Sequence, residues 1–532
     1  MEVTALQRAL LLGDAPTARA LLRTGPDPAG TVFAAVLEQS FALALECTAG
    51  LDLDDPLDLA VTALATEMTG SVEGPRAERA VAAVLALPPA ETDRLLWATA
   101  LAAEAAMAAG RVDLAERAAR SALSSPAATW SATAAFPAQT LVRALLFQGR
   151  LQDATDTGPL VLELAERHEL PAISLVAASA LAYVAVLMGD RVGLDASIAR
   201  VMAGMDDCPT SYFVHGSLVL VAYALAADGR ATEAADMLLR AAGGPELRGI
   251  QVVDQAYGFE LLVTAELGVG DVAAARRWAA KAEALVVPDA MAEAAIHRAA
   301  ARVAAAEGDL TTGVALAERA RELAAGSSGH LDATRAALIA GSTLLADVSA
   351  SVRARATLVE AGGAASDMGA VSLALLARRD LRSIGLRFTA VDQAQLTRRE
   401  LEVAHLVIAG HTNGQIARVL GISPRTVQTH VSGVLKALGL PSRTGVGAAL
   451  AATSAEPASR SQLTARQGDV ADLVVLGYTN DGIARALGLS VKTVEKHLGD
   501  AYRKLGVDSR VALTARWRDC AESLPDKAVP AT

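Results

Sequence analysis

The sequence predicts an all-α protein: a solenoid of helical hairpins followed by two small helical modules in tandem. Three observations carry this reading. Alanine is abundant while glycine and proline (42 and 19 of 532 residues) are interspersed, which favours helices with short breaks over sheets. A glycine followed by Asp or Arg returns at a near-constant interval through the middle of the chain. The final stretch also aligns without a gap on the stretch preceding it.

At 532 residues the chain exceeds one compact core, so several domains or a repeat array are expected. A composition that is 52% hydrophobic and 20% charged excludes general disorder, and 3% aromatic residues are thin for base stacking on single strands.

The recurring breaks are Gly110-Arg111, Gly149-Arg150, Gly189-Asp190, Gly229-Arg230, Gly270-Asp271 and Gly308-Asp309, at intervals of 39, 40, 40, 41 and 38 residues; Gly13-Asp14 fits as an early member. Glycine supplies the left-handed residue that ends one helix, and the next folds back on it. Each hairpin leaves an apolar face for the next to cover. Alanines such as Ala115 and Ala234 after these breaks let paired helices approach closely. The period resembles that of tetratricopeptide-like repeats. Residues 1–96 and 326–389 read as helical without a clear register, and region 1–389 is expected to be one helical-repeat body. It serves either as an interaction scaffold or as a receiver of ligand; no cluster of polar residues marks a pocket.

Glu2, Arg8 and Asp14 are unlike a targeting segment. The longest apolar run, Ile173 to Gly189, is short of the roughly 20 residues a membrane span needs, so it is expected to be a buried helix. Cys47, Cys208 and Cys520 lie far apart, with neither disulfide nor zinc spacing, and fit a reduced cytoplasm. His168, His215, His297 and His330 are isolated, so no metal is expected. No phosphate-binding lysine loop and no nucleophile elbow occur, and the glycines of Gly326-Ser327-Ser328-Gly329 lack a following lysine. Neither an enzyme nor a cofactor is expected.

The net charge of −11 is uneven. From Leu396 onward 17 Lys and Arg face 12 Asp and Glu, whereas the rest has 31 against 47. Phosphate attraction depends on the local patch, so an acidic whole does not exclude DNA binding.

The chain from Leu396 aligns on the chain from Leu463. Thr397 to Glu400 and Thr464 to Gln467 are capping boxes, the hydroxyl and the acidic or amide side chain each satisfying a backbone donor. Leu401, Ala404, Leu406 and Val407 form an apolar stripe that Gly410 ends. Thr412 caps a second helix carrying Ile416, Ala417 and Leu420; Gly421 turns the chain, and Ser423 caps a third helix with Pro424 at its first position. On that helix Val427, Val431, Val434, Leu435 and Leu438 face the core, with Arg425, Gln428, Thr429, Ser432 and Lys436 opposite. In the second copy Val494, Leu498 and Leu505 point inward, and Lys492, Glu495, Lys496, Gly499 and Arg503 point out. This is the helix-turn-helix plan, whose second helix can enter the major groove.

The ordered positions Leu396-Thr397, Gly410 with Thr412-Asn413, Ile416-Ala417, Leu420-Gly421, Thr426-Val427, His430 and Arg443, repeated as Leu463 to Arg510, resemble the LuxR-type (NarL/FixJ-like) helix-turn-helix of bacterial regulators. A solenoid ahead of it resembles the MalT-like regulators without their nucleotide-binding module. The resemblance implies modules at 390–453 and 463–522, a linker at 454–462, a tail at 523–532, and recognition helices at 423–438 and 490–505. It implies a sequence-specific regulator of double-stranded DNA, with RNA polymerase, a small-molecule or protein effector on the solenoid, and a second copy of the chain as further partners, no membrane and a cytoplasmic setting.

Carried over by residue, Arg425, Thr426, Lys492 and Thr493 meet phosphate, while Gln428, Thr429, Ser432, Glu495, Lys496 and Gly499 meet base edges. Lys436 and Arg503 lie on the same polar flanks, and Arg443 and Arg510 are phosphate or packing residues. Gln415 and Gly482 replace a usual acid, and Gln428 and Glu495 a common lysine. His430 and His497 are expected to pack rather than touch DNA. Either the two copies occupy adjacent half-sites, or one binds DNA while the other pairs with a second chain. The rival reading is a scaffold whose modules serve assembly.

Overall fold

The structure is a computed structural model. It describes residues 4–381 except 70–75, 209–210, 288 and 348–349, and beyond them 416, 427–432, 463–475, 480–487, 489–507, 510 and 513. It is all-α: no strand occurs among these residues. The chain divides into two units, residues 1–343 with 361–374, and residues 344–360 with 375–532.

In the first unit helices pair at the expected breaks: Asp93–Ala108 with Val112–Leu123, Ala135–Phe147 with Leu151–Arg167, Pro171–Met188 with Arg191–Gly204, Tyr212–Ala227 with Ala231–Ala241, Val252–Val269 with Val272–Glu283, and Ala290–Ala306 with Leu310–Gly326. The pairing extends into the stretch whose register the sequence left open, with Ala5–Leu11 and Ala15–Leu22, then Pro28–Leu37 and Phe41–Glu46. Gly13 and the six later break glycines all hold positive φ, from +67° to +89°. At Gly189 the next N–H reaches back along the helix, Asp190 to the Ala185 carbonyl at 2.8 Å, which satisfies an acceptor orphaned at the helix end.

The residue after each of these glycines is of two kinds. Asp14, Asp190, Asp271 and Asp309 accept from the backbone N–H three residues on and cap the second helix. Arg111, Arg150 and Arg230 make no such cap. Arg111 pairs with Glu78 and Arg150 with Glu116 in the preceding hairpin, whereas Arg230 pairs with Glu233 on its own helix. The apolar run lies in Pro171–Met188; by length and composition this helix could cross a membrane, but 78% of it is buried against its neighbours.

Hairpins far apart in sequence also meet. Arg8 bonds Glu169 at 2.9 Å, Gln39 bonds His215, and Phe136 packs between Phe33 and Phe213 at centroid distances of 5.9 and 5.8 Å. These contacts close the first unit on itself, and it holds several charged groups away from water. Glu260 and Arg298, 1% and 0% exposed, form a two-bond pair at 2.9 and 2.7 Å. Arg335 adds a bond to Glu260 at 2.8 Å and one to Asp332 at 2.7 Å, and the Tyr257 hydroxyl donates to Asp332 at 2.6 Å. Burial alone would raise the Glu260 carboxyl, but Arg298 and Arg335 beside it hold it down at about 2. A second knot joins Glu104 to Arg143 at 2.6 Å and to the Tyr212 hydroxyl at 2.8 Å.

The expectation that no polar cluster marks a pocket is corrected here. A cavity opens between these knots, lined by Arg143, Tyr212, Tyr223, Asp254, Asp289 and Arg335 among others. Its residues come from hairpins spread over more than two hundred positions, so no local cluster announces it.

In the second unit Ala465–Val475, Asn480–Leu487 and Val491–Leu505 enclose a small core of Val470, Val474, Ile483, Val494, Leu498, Leu505 and Leu513.

Candidate nucleic-acid interface

The second terminal module is built as its sequence expects. The Thr464 backbone N–H donates to Gln467 Oε1 at 3.0 Å, and the Gln467 N–H donates to Thr464 Oγ1 at 3.3 Å, a closed capping box. Ser490 caps the helix Val491–Leu505, accepting the Thr493 N–H at 3.1 Å, and Gly506 ends it at φ +66°. Two further bonds brace the module: Arg466 donates to the Leu487 carbonyl at 2.6 Å, and Lys504 to Gln467 Oε1 at 2.9 Å. Sequence reasoning missed both. A basic residue facing a helix C-terminus was the available signal for the first.

On Val491–Leu505 the two faces separate cleanly. Val494, Leu498, Ala501 and Leu505 are buried, and Lys492, Glu495, Lys496, Gly499 and Arg503 lie on the other side, turned toward solvent. A Cβ built on Gly499 meets nothing within 4 Å, so the middle of this flank is bare backbone open to a close approach. Among the described residues, no hydrogen bond or ion pair holds Lys492, Glu495 or Lys496. The flank is therefore free to meet an outside partner.

The other expected residues differ. Thr493 is half-buried and its hydroxyl lies 2.7 Å from Ser490 Oγ, inside the cap. Arg503 is exposed but bonds Asp500 at 2.7 Å. Arg510 donates to Asn480 Oδ1 at 3.0 Å, tying the segment after Val491–Leu505 to the start of Asn480–Leu487. His497 is half-buried, with Nδ1 enclosed and unpartnered among the described residues.

In the first module the described residues repeat this register. Ile416, Val427 and Val431 are buried while Gln428, Thr429 and Ser432 are exposed, and His430 is half-buried. Val427 and Val431 stand where Val494 and Leu498 stand in the second copy, and Gln428, Thr429 and Ser432 where Glu495, Lys496 and Gly499 stand. Arg425, Thr426, Lys436 and Arg443 lie outside the described residues.

The flank offers donors for phosphate at the helix start and mixed polar groups one turn on. Two lysines beside a bare glycine suit duplex DNA, where cations position the helix and side chains one turn in can reach base edges. Glu495 is the exception. It opposes phosphate and suits only a donor such as the cytosine amino group.

Comparison with known proteins converges on the same segments. The family described as bacterial regulatory proteins, luxR family, matches residues 394–448 and 461–516, about a fifth of the chain. A protein of Mycobacterium tuberculosis named as a putative HTH-type transcriptional regulator, Rv0890c, is 54% identical over 48 residues, 9% of this chain and 5% of that protein. The aligned part thus spans only about a twentieth of that relative's length.

Proposed function

We propose that this chain is a cytoplasmic transcriptional regulator, not an enzyme, whose helical-repeat body receives a signal and whose terminal modules read double-stranded DNA. The observation that carries the reading is the exposed flank of Val491–Leu505, with Lys492, Lys496 and Gly499 clear of the core that fixes the helix in place. The matches at 394–448 and 461–516 support it independently of that geometry.

In this reading Lys492 anchors phosphate, Lys496 and Glu495 meet bases, and Gln428, Thr429 and Ser432 do so in the first module. A second copy of the chain and RNA polymerase are its protein partners, and the signal is a small molecule or protein held by the body.

The test is fluorescence anisotropy of the full chain on labelled random-sequence duplexes across a salt series. Affinity falling steeply and log-linearly with salt is expected, since each phosphate neutralised adds about one to the slope. A full chain that ignores duplexes at low salt contradicts the proposal and favours a scaffold.

A further inference from the structure

The cavity of the first unit combines an aromatic wall with hydrogen-bond acceptors that have nothing to accept. It encloses about 930 Å³ of atom-free space, its open mouth included. Only 3% of the chain is aromatic, yet all four tyrosines of residues 1–389, Tyr183, Tyr212, Tyr223 and Tyr257, line it together with Phe147 and Phe213.

The polar groups on the wall are unequal. Its two cations are already paired: Arg143 with Glu104 at 2.6 Å, and Arg335 with Glu260 and Asp332 at 2.8 and 2.7 Å, two acids that Arg298 shares. The acids are not. Asp289 is 4% exposed; its Oδ1 takes the Ala292 N–H at 2.7 Å and its Oδ2 is enclosed, without a partner among the described residues. Gln251, 6% exposed, donates its amide to Asp254 Oδ2 at 2.9 Å and leaves its own Oε1 enclosed and likewise unpartnered. Burial pushes Asp254 and Asp289 up to about 6; the Gln251 amide and Arg143 hold the first back and backbone N–H groups at the helix start the second, while the nearby charges of Glu104 and Glu293 add to the respective rises. Buried acceptors left unpaired are costly, so they mark where a donor belongs.

We infer that this cavity is a binding site for a small ligand carrying a protonated amine on an apolar or aromatic body, the ammonium bonding Asp289, Asp254 and the Gln251 carbonyl while the body lies against Tyr223, Tyr257 and Phe147. An ammonium has three donors and no acceptor, which suits the acceptor oxygens of Asp289, Asp254 and Gln251, all residues that line the cavity. An anion on Arg143 and Arg335 is the rival chemistry; it would have to compete with carboxylates already bonded there. The inference rests on the reading of the repeat body as a receiver and does not depend on DNA binding.

The experiment is thermal unfolding and calorimetric titration of the full chain, without DNA, with phenethylamine, phenethyl alcohol and phenylpropionate. Phenethylamine is expected to stabilise the chain in a dose-dependent way, the alcohol less and the acid not at all. Asp289→Asn and Asp254→Asn are each expected to weaken amine binding at least roughly tenfold. Asn caps a helix as well as Asp does, so the Asp289 variant keeps its link to Ala292 and folds. Three results overturn the site: no stabilisation by millimolar amine, equal or tighter binding of the acid, or an amine affinity unchanged in both variants. Repeating the anisotropy with amine present separates the readings. Aspartate-dependent amine binding that leaves DNA affinity unaltered upholds the site and retires the coupling, whereas loss of DNA binding alone leaves the site standing.

Discussion

Gly110 sits against Asp289: a Cβ on this glycine would lie 2.7 Å from Asp289 Oδ1 and 3.1 Å from Met291 Cγ, and the backbone holds φ at +67°. One glycine thus serves two purposes, ending the helix Asp93–Ala108 and letting a distant hairpin close onto it. Gly308, at φ +89°, serves only the first, because nothing lies within 4 Å of its Cβ position.

Gly308→Ala is therefore expected to cost about 1–2 kcal/mol, the penalty of a side chain in the left-handed region. Gly110→Ala should cost more by about 1–3 kcal/mol, since the methyl also overpacks the Asp289 contact. Urea unfolding of the two variants side by side checks this; equal losses would mean the closure at Gly110 carries no strain.

Glu260→Gln should destabilise the chain by about 3–5 kcal/mol, because Arg298 and Arg335 lose their buried counter-charge. The pH dependence has a definite sign. The folded carboxyl is held at about 2, below its unfolded value near 4.5, so its contribution is complete above that value and fades as pH falls toward 2. Acid unfolding of the wild type should be steep in that window and flatter in the variant.

The acids on the cavity wall have the opposite sign. Asp254 and Asp289 titrate at about 6 in the folded chain against 3.8 unfolded, so each strengthens the ligand-free fold as pH drops from 6 to 4. Glu67, pushed up to about 7 by burial together with Glu78 and Asp289, does so from a higher starting point. Asp254→Asn should remove its share of that slope, measured as the change in melting temperature between roughly pH 6 and pH 4, the window its shift defines. An unaltered slope would place Asp254 in contact with solvent.

Much of the scaffold was legible before the structure. The glycine breaks, the Thr464–Gln467 box and the faces of Val491–Leu505 are local, fixed by residues within about one helical turn of each other. The ion knots were not, because their members lie on different hairpins amid alanines and valines. A faint signal existed. Glu104 and Arg143 are 39 residues apart and Glu260 and Arg298 are 38 apart, one repeat in each case, so opposite charges recur inside otherwise apolar first helices. The cavity needs the winding of the hairpins between Met107 and Arg335, which no short pattern encodes. At the exposed flank of Val491–Leu505 the sequence anticipated which residues point outward, but not that Thr493 is turned into the cap or that Arg510 is held by Asn480.

Lys492→Ala should weaken duplex binding across sequences and lower the salt slope by about one. Lys496→Ala should instead cost about 1–3 kcal/mol on preferred sites and little elsewhere. Glu495→Gln removes a charge that repels phosphate, so its affinity for random duplex should rise. Anisotropy on matched and random duplexes distinguishes the three.

The most direct measurement is selection of duplexes by the full chain from a randomised library, run in parallel with the Lys492→Ala/Lys496→Ala double variant. A sequence motif enriched by the wild type and lost by the double variant is the predicted result. No enrichment by the wild type, or the same motif from both proteins, would contradict the claim that the exposed flank of Val491–Leu505 reads DNA.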